Sequence, residues 1–187
     1  MRVGMTFAFI VLSAALGSQA AGQGSGPRGQ GSCETPALTS QEKSRLVFLR
    51  EEEKLAHDVY QFLDGQWNLR IFRNIALSEV THFQHVGLLL SRYGVADPAA
   101  GRAAGEYTDL RFGNLYLELT AKGSGSLKDA LEVGILIENG DIALLEAGLI
   151  ETAQPDIKRV YTNLLNGSSN HLDAFETVLE ILQASVR

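Results

Sequence analysis

The fold is decided by residues 49–60, whose sequence is LREEEKLAHDVY. Apolar residues recur through this segment at intervals of three and four, the spacing that brings side chains to one face of an α-helix. Glu53 interrupts that face, which also carries the following residues: Leu46, Leu49, Ala56, Tyr60 and Leu63. With Ser40 as a suitable N-cap, the sequence predicts a first helix over about 40–63 that brings a carboxylate into a core.

Three further segments show the helical period. The second helix is predicted over about 69–93, the third begins at Ser126, and the fourth begins at Asp156. Their apolar faces also contain polar residues that do not suit a core: Glu79, His82, Glu138, Asp141 and His171. Each predicted helix therefore presents at least one candidate metal ligand to a common interior.

Residues 94–125 form a long connection between the second and third predicted helices. Glycine and proline punctuate it, and residues 115–121 favour a short helix. A connection of this length is typical of a bundle whose second and third helices run parallel and are joined by a crossover. No run alternates with strand period, so the sequence predicts an all-α four-helix bundle with a long crossover between helices 2 and 3.

The N-terminal residues resemble a targeting segment. Arg2 precedes an apolar run over 5–16, and small residues at 18–20 suit cleavage by a signal peptidase. We expect a cleavable signal peptide over 1–20, a flexible Gly/Ser-rich linker over 21–37 and the bundle domain over 38–187. The protein is then secreted or periplasmic, with no membrane span in the mature chain, and a retained anchor is the alternative.

Charge and cysteine content restrict the classes of partner. Sixteen basic and 22 acidic residues give a net charge of −6, which does not suit a nucleic-acid partner. The same charge suits cations, although a solvated acidic surface gives the same total. Cys33, the only cysteine, cannot form an internal disulfide, so the core must hold the fold. The pattern leaves a homo-oligomer open.

The inward polar residues have the chemistry of metal ligands. A carboxylate buried alone is costly, and several near one another need cations to remain charged together. Glu79 and His82 are three residues apart, so one helix face presents an oxygen and a nitrogen to one site. Such a donor set suits iron, manganese or zinc better than calcium. Di-iron bundles use single Glu residues from two helices and Glu-x-x-His from the other two.

Three stretches resemble an uncharacterised prokaryotic family, domain of unknown function 2202: residues 49–60, SEVTH at 78–82 and GSSNHL at 167–172. That family is assigned to the ferritin-like superfamily, beside rubrerythrins and ferritins, and the resemblance covers about 38–182. It implies metal ligands at the following residues: Glu53, Glu79, His82, Glu138 and His171. Ser168 stands where the fourth helix would require Glu, and we expect Asp141, one turn beyond Glu138, to replace that carboxylate.

Other polar residues have simpler interpretations. Glu51 and Glu52 are predicted on a solvated face, and His57 and His85 at the surface or beside the ligands. Tyr60 is interpreted as a core tyrosine with a bonded hydroxyl. Asn-Gly pairs at 139–140 and 166–167 are turn signals, but the apolar face keeps its phase across both. We therefore predict that both helices continue, straight or with a local bulge.

Three functions stay open. The superfamily resemblance favours a redox-active protein with two iron ions, with manganese or zinc as alternatives, that oxidises ferrous iron or reduces peroxide or dioxygen. A non-enzymatic protein that binds or stores metal outside the cytoplasm is the second. The third is a structural bundle whose polar cluster is internally hydrogen-bonded and holds no metal.

Overall fold

The computed structural model describes residues 37–185. The predicted signal peptide, residues 1–20, lies outside the described residues, as does the predicted linker up to residue 36. Within the described range the chain forms no strand and five helices: α1 (Ser40–Trp67), α2 (Arg70–Arg92), α3 (Leu110–Gly123), α4 (Leu127–Glu151) and α5 (Pro155–Ala184). The all-α prediction is confirmed for this part of the chain.

Helix α1 begins at a capping box one residue earlier than predicted. Thr39, not Ser40, is the N-cap: its hydroxyl accepts from the backbone N–H of Glu42 at 3.1 Å. The Glu42 carboxylate accepts from the backbone N–H of Thr39 at 2.9 Å in return. Helix α1 ends with Asn68 in the left-handed conformation, at φ 47°, and α2 starts two residues later. So short a connection makes α1 and α2 antiparallel neighbours.

Contacts between the long helices fix their directions, because contacting residues run in opposite order along each pair. Helix α1 contacts α2 through Asp64 with Arg73 and Arg50 with Phe83, and it contacts α4 through Tyr60 with Glu138 and Arg45 with Glu151. Helix α5 contacts α4 through His171 with Glu138 and Tyr161 with Gly148. It contacts α2 through His171 with Ser78 and Asp156 with Tyr93. Each of these pairs is antiparallel. Helices α2 and α4 therefore run in the same direction, and the chain must cross over between them.

The crossover contains a longer helix than the sequence indicated. A short helix over 115–121 was predicted, whereas α3 spans Leu110–Gly123 and is capped by the Asp109 side chain, which accepts from the N–H of Arg111 at 3.0 Å. Helix α3 packs against α1 and α4 through buried residues that include Phe112 and Leu119. Gly113 lies inside it and hides the helical period in the sequence. The sequence therefore underestimated the length of this helix, which begins five residues earlier and ends two residues later than predicted.

The apolar core consists of two clusters with polar side chains between them. The first cluster includes Leu55, Val59, Leu63, Phe72, Phe112, Leu131 and Phe175. The second includes Leu46, Leu49, Val86, Leu90, Leu145, Tyr161 and Leu164. On all four long helices, buried acids or histidines fall between residues of one cluster and residues of the other. None of the helices within residues 37–185 combines the length and apolar character that a membrane span requires.

Candidate metal centre

Seven ionisable side chains converge between the two apolar clusters, and we refer to them together as the acidic layer. They are Glu52 and Glu53 from α1, Glu79 and His82 from α2, Glu138 and Asp141 from α4, and His171 from α5. All seven are buried, and Glu53 has no exposed surface. The structure thus brings together all six residues proposed as ligands from the sequence and adds Glu52.

The first group of potential ligands surrounds His82. Its Nδ1 lies 2.9 Å from Oε2 of Glu79 and 3.4 Å from Oε2 of Glu53. The histidine and Glu79 project from the same face of α2 because they are three residues apart. Glu53 approaches from α1, so two helices contribute two oxygens and one nitrogen.

The second group surrounds His171. Its Nδ1 lies 2.8 Å from Oε1 of Glu79 and 3.6 Å from Oε2 of Glu138. Tyr60 donates its hydroxyl to Oε1 of Glu138 at 2.7 Å, which fixes that carboxylate. The two oxygens of Glu79 therefore point to different histidines, and the ring centroids of His82 and His171 are 5.5 Å apart. Glu79 has the geometry of a carboxylate shared by two positions.

The third group consists of carboxylates alone: Glu52, Glu53 and Asp141. The Ser168 hydroxyl donates a short hydrogen bond to Oδ2 of Asp141. Asp141 does face the interior, as the sequence predicted, and its neighbours there are the two α1 glutamates. In each of the three groups the potential ligand atoms lie within 4.8 Å of one another.

Several atoms of the acidic layer make no hydrogen bond to any of the described residues. They are Oε2 of Glu52, both carboxylate oxygens of Glu53, Oε1 of Glu79, Oδ1 of Asp141, and Nδ1 of His82 and His171. The two Nδ1 atoms lie close to carboxylate oxygens but outside hydrogen-bonding alignment. Buried polar atoms in proteins are almost always bonded, so a group of seven requires an explanation. Nitrogen and oxygen donors turned toward common points fit a metal ion.

Burial and mutual repulsion perturb the acids of the layer. Burial and the Asp141 charge raise the pKa of Glu53 well above its usual value, and the pKa of Glu52 is raised for the same reasons. Burial raises the pKa of Glu138 to about 7, although His171 opposes the shift, and that of Asp141 to about 6 against the Ser168 hydrogen bond. These carboxyls are therefore difficult to ionise together without added positive charge.

Glu79 and the histidines are perturbed in the opposite sense. Burial opposes ionisation of Glu79, but the close approach and charge of the two histidines lower its pKa to about 2. Burial also disfavours a charged His171, yet Glu138 and Glu79 raise its pKa to about 9. The pKa of His82 is raised by Glu79 despite its burial. The raised pKa values favour positive charge on both rings beside Glu79, the role that a metal ion would take over.

Two residues that position the histidines were not found from the sequence. Ser78 places its hydroxyl 3.0 Å from Nε2 of His171, which leaves Nδ1 for the carboxylates. Gly167 lies against Nε2 of His82, and a Cβ at that position would overlap the ring. Both Asn-Gly pairs lie inside continuous helices, as predicted. The signal for Gly167 was the pair itself, because glycine inside a continuous helix usually has a packing reason.

The prediction that Glu51 and Glu52 lie on a solvated face is wrong. Glu51 is 2% exposed and accepts from the backbone N–H of Asp109 at 3.1 Å, and Glu52 is 7% exposed and faces Asp141. The cause is that α2, α4 and α3 cover three sides of α1. Glu52 shares its helical face with Leu49, three residues before it, and that spacing could have revealed it.

The remaining histidines lie outside the acidic layer. His57 is half-buried, with Nδ1 3.3 Å from Oδ1 of Asp58, and His85 is also half-buried. Neither belongs to the three groups of potential ligands found among the described residues.

Comparisons with known proteins place the chain in a family. Uncharacterized protein MJ0754 of Methanocaldococcus jannaschii is 46% identical over 142 residues, which cover 76% of this chain and 77% of that protein. The crystal structure of hypothetical protein MJ0754 has a TM-score of 0.78 at 44% identity and covers 82% of this chain and 87% of its own. A DUF305 fragment from Deinococcus radiodurans has a TM-score of 0.59 at 19% identity, covering 78% of this chain and 99% of its own, a likeness of fold alone.

Residues 42–184 match the model of a family described as an uncharacterized protein domain, DUF2202. The matched residues include the whole acidic layer and most of the five helices. This chain therefore belongs to the DUF2202 family.

Proposed function

We propose that this protein is a ferritin-like four-helix bundle that binds a pair of metal ions, with iron as the metal. In this proposal α1, α2, α4 and α5 form the bundle, and α3 covers the crossover between α2 and α4. The observation that supports it most directly is the position of Glu79 between His82 and His171, with one oxygen toward each ring. A shared carboxylate of this kind is typical of carboxylate-bridged metal pairs.

The proposed ligands divide between two positions that share Glu79. Glu53, Glu79 and His82 hold one ion, and Glu79, Glu138 and His171 hold the other. The ligand atoms of each group lie within 4.8 Å of one another, about twice a metal–ligand distance of roughly 2.0–2.4 Å. Asp141 completes the six proposed ligands and adds the carboxylate that Ser168 cannot supply.

The unbonded atoms favour this proposal over a structural polar network. A network without metal would satisfy its donors and acceptors internally, whereas seven atoms of the acidic layer have no hydrogen bond within residues 37–185. Histidine nitrogen combined with carboxylate oxygen suits iron, manganese or zinc. Bound iron would allow the site to oxidise ferrous iron or to reduce peroxide or dioxygen. This chemistry is proposed by analogy with the superfamily.

The protein's own residues would orient and isolate the site. Tyr60 holds Glu138 through its hydroxyl, and Ser78 faces the distal nitrogen of His171. The two apolar clusters lie on either side of the acidic layer and exclude bulk water from it. We further propose that residues 38–187 form the bundle domain and act outside the cytoplasm, after removal of a signal peptide at 1–20.

Metal content of the untagged protein, purified without chelator, tests the proposal. We expect two ions per chain by elemental analysis. Glu79→Ala should lose both, because both positions share this residue, whereas His82→Ala and His171→Ala should each lose one. His85→Ala is the matched control, since this half-buried histidine of α2 lies outside the layer. A wild-type protein without metal, or full metal content in Glu79→Ala, would contradict the proposal.

Addition of ferrous iron distinguishes an enzyme from a non-enzymatic protein that binds or stores metal. Oxidation of many ferrous ions per chain, with matching oxygen or peroxide consumption, supports the redox reaction. Binding of two ions without further turnover supports the non-enzymatic alternative.

A further inference from the structure

We propose that Glu52, Glu53 and Asp141 form a third cation position, built of oxygen atoms alone, for a hard divalent cation of the Ca²⁺ or Mn²⁺ type. It rests on the proposed function through Glu53, which it shares with the His82 position, and through Asp141, which is among the six proposed ligands. One oxygen from each carboxylate lies within 4.8 Å of the others. Three oxygens at that limit would lie about 2.8 Å from a common centre, close to the roughly 2.3–2.6 Å of a calcium–oxygen bond, so small side-chain movements would let one ion contact all three.

The carboxylates of this position are buried and incompletely bonded. Glu52 is 7% exposed, Asp141 3% and Glu53 not at all. Oε2 of Glu52, Oδ1 of Asp141 and both oxygens of Glu53 make no hydrogen bond to any residue in 37–185. An acidic surface would leave such oxygens in water, but here they have neither exposure nor a donor. They therefore need a cation or protons.

The cations nearest along α1 do not neutralise this group. Arg50 pairs with Asp97 at 2.7 Å, and Lys54 pairs with Asp58 and donates to the Ala103 carbonyl at 2.7 Å. Both side chains are thus held at the crossover. The three carboxylates keep their repulsion, to which Glu79 adds a further negative charge.

Ser168 prepares Asp141 for this role. Its hydroxyl donates a hydrogen bond to Oδ2 of Asp141, while Oδ1 has no hydrogen-bond partner among the described residues. A glutamate at position 168 would itself reach into the layer, whereas serine is short and supports a ligand from the neighbouring helix. The residue that departs from Glu-x-x-His thus holds a carboxylate beside Glu52.

The donor set decides the class of cation. Three carboxylates without nitrogen suit hard cations, whereas zinc and iron gain from the histidines of the other two positions. Mg²⁺ retains several waters in octahedral geometry, which a buried position does not favour. Calcium is therefore the most selective probe, because it has little affinity for imidazole.

Equilibrium dialysis with radioactive calcium tests the inference on the full chain loaded with two Zn²⁺ per chain. We expect one Ca²⁺ per wild-type chain. Glu52→Gln and Asp141→Asn keep side-chain volume but remove charge, and each should weaken calcium binding about tenfold or more. Glu52→Gln should also keep both Zn²⁺, because Glu52 is not among the proposed ligands of the metal pair. Glu146→Gln, an exposed acid of α4, is the control and should bind as wild type.

The outcomes separate this inference from the proposed metal pair. Zn²⁺ uptake without Ca²⁺ uptake, or unchanged Ca²⁺ binding in Glu52→Gln, would overturn the third position and leave the pair intact. Loss of Zn²⁺ from Glu52→Gln would assign Glu52 to the pair and also overturn it. Ca²⁺ uptake in a protein that takes no Zn²⁺ would support the third position and reject the pair. Glu52→Gln removes a repulsive buried charge, so this variant is expected to fold. It keeps the test decisive even if the Asp141→Asn variant fails to fold.

Discussion

Helix α1 places charged side chains in two buried environments less than two turns apart. In one environment the charges are paired, and in the other carboxylates are in excess. On the crossover side lies the paired cluster, formed by Arg50, Glu51, Lys54 and Asp58. On the bundle side lie Glu52 and Glu53 of the acidic layer. The sequence runs through both without a break, as Arg-Glu-Glu-Glu-Lys at 50–54.

In the paired cluster each charge meets an opposite charge or a backbone group. Arg50 binds Asp97 and the Phe83 carbonyl and lies over the Phe83 ring, 3.1 Å from its centroid. Asp58 accepts from the Gly105 N–H at 3.0 Å and from the Tyr107 hydroxyl at 2.9 Å. Hydrogen bonds from His57 and Lys54 hold the pKa of Asp58 below its usual value despite its burial.

The acidic layer has five carboxylates and only two basic side chains, and seven of its atoms are unbonded within the described residues. Buried charge alone is therefore a poor indicator of a functional site, since both groups on α1 have it. An excess of one sign together with unbonded atoms is the better indicator. It separates charges that stabilise a connection from charges that are candidates for binding a ligand.

Removing Lys54 should make the paired cluster resemble the acidic layer. Lys54→Met leaves Asp58, which is 5% exposed, without its cation, and should lower the free energy of unfolding by about 3 kcal/mol. Urea unfolding followed by circular dichroism measures the change. Lys43→Met, an exposed lysine of the same helix, should change stability little. A loss of equal size in both variants would show that the buried pair has no special role.

The pH dependence of stability should distinguish the two groups. In the metal-free protein Glu138 and Asp141 have raised pKa values of about 7 and 6, so their folded forms bind protons that the unfolded chain releases above pH of about 4. The raised pKa of His171, about 9, acts in the same direction, because its stabilising charge is lost as pH rises toward that value. Stability should therefore fall by on the order of 5–7 kcal/mol between pH 5 and 9, at about 1.4 kcal/mol per pKa unit.

Urea unfolding with chelator at pH 5, 7 and 9 measures this decline, and bound Zn²⁺ should reverse it, because metal replaces protons on the ligands. The lowered pKa of Asp58 gives no dependence in this window, since that group is ionised in both states. Stability of the metal-free protein that rises from pH 5 to 9 would contradict the assignment of excess acid to the layer.

The smallest expected effect concerns the contact between Gly167 and the His82 ring. Gly167→Ala should push the His82 ring away from Glu53 and Glu79 and weaken binding of one ion about tenfold, with the other ion little affected. Isothermal titration with Zn²⁺ measures both affinities. Asn166→Ala changes the exposed half of the same Asn-Gly pair and should leave binding unaltered. Equal affinities in the two variants would remove Gly167 from the account of the site.

Much of the fold follows from local spacing, whereas the errors arise from contacts between helices. Periods of three and four predicted the four long helices and brought Glu79 and His82 to one face. The burial of Glu52 depends on α4 covering a second face of α1, which no single helix reveals. Helix α3 was underestimated because Gly113 interrupts its pattern. The space for the His82 ring depends on Gly167, which lies 85 positions later in the chain and is adjacent only after folding.

The direction of the crossover divides the candidate ligands between two parts of the chain. It divides the chain into two local hairpins, α1 with α2 and α4 with α5, each of which forms from segments close in sequence. Glu53, Glu79 and His82 all belong to the first hairpin, whereas the His171 position needs Glu79 from the first and two residues from the second. In the proposed metal pair, one ion would therefore need ligands from the first hairpin alone, whereas the second would need both hairpins to be docked. For refolding in the presence of metal, this topology predicts two kinetic phases of metal binding, one before and one after the hairpins dock.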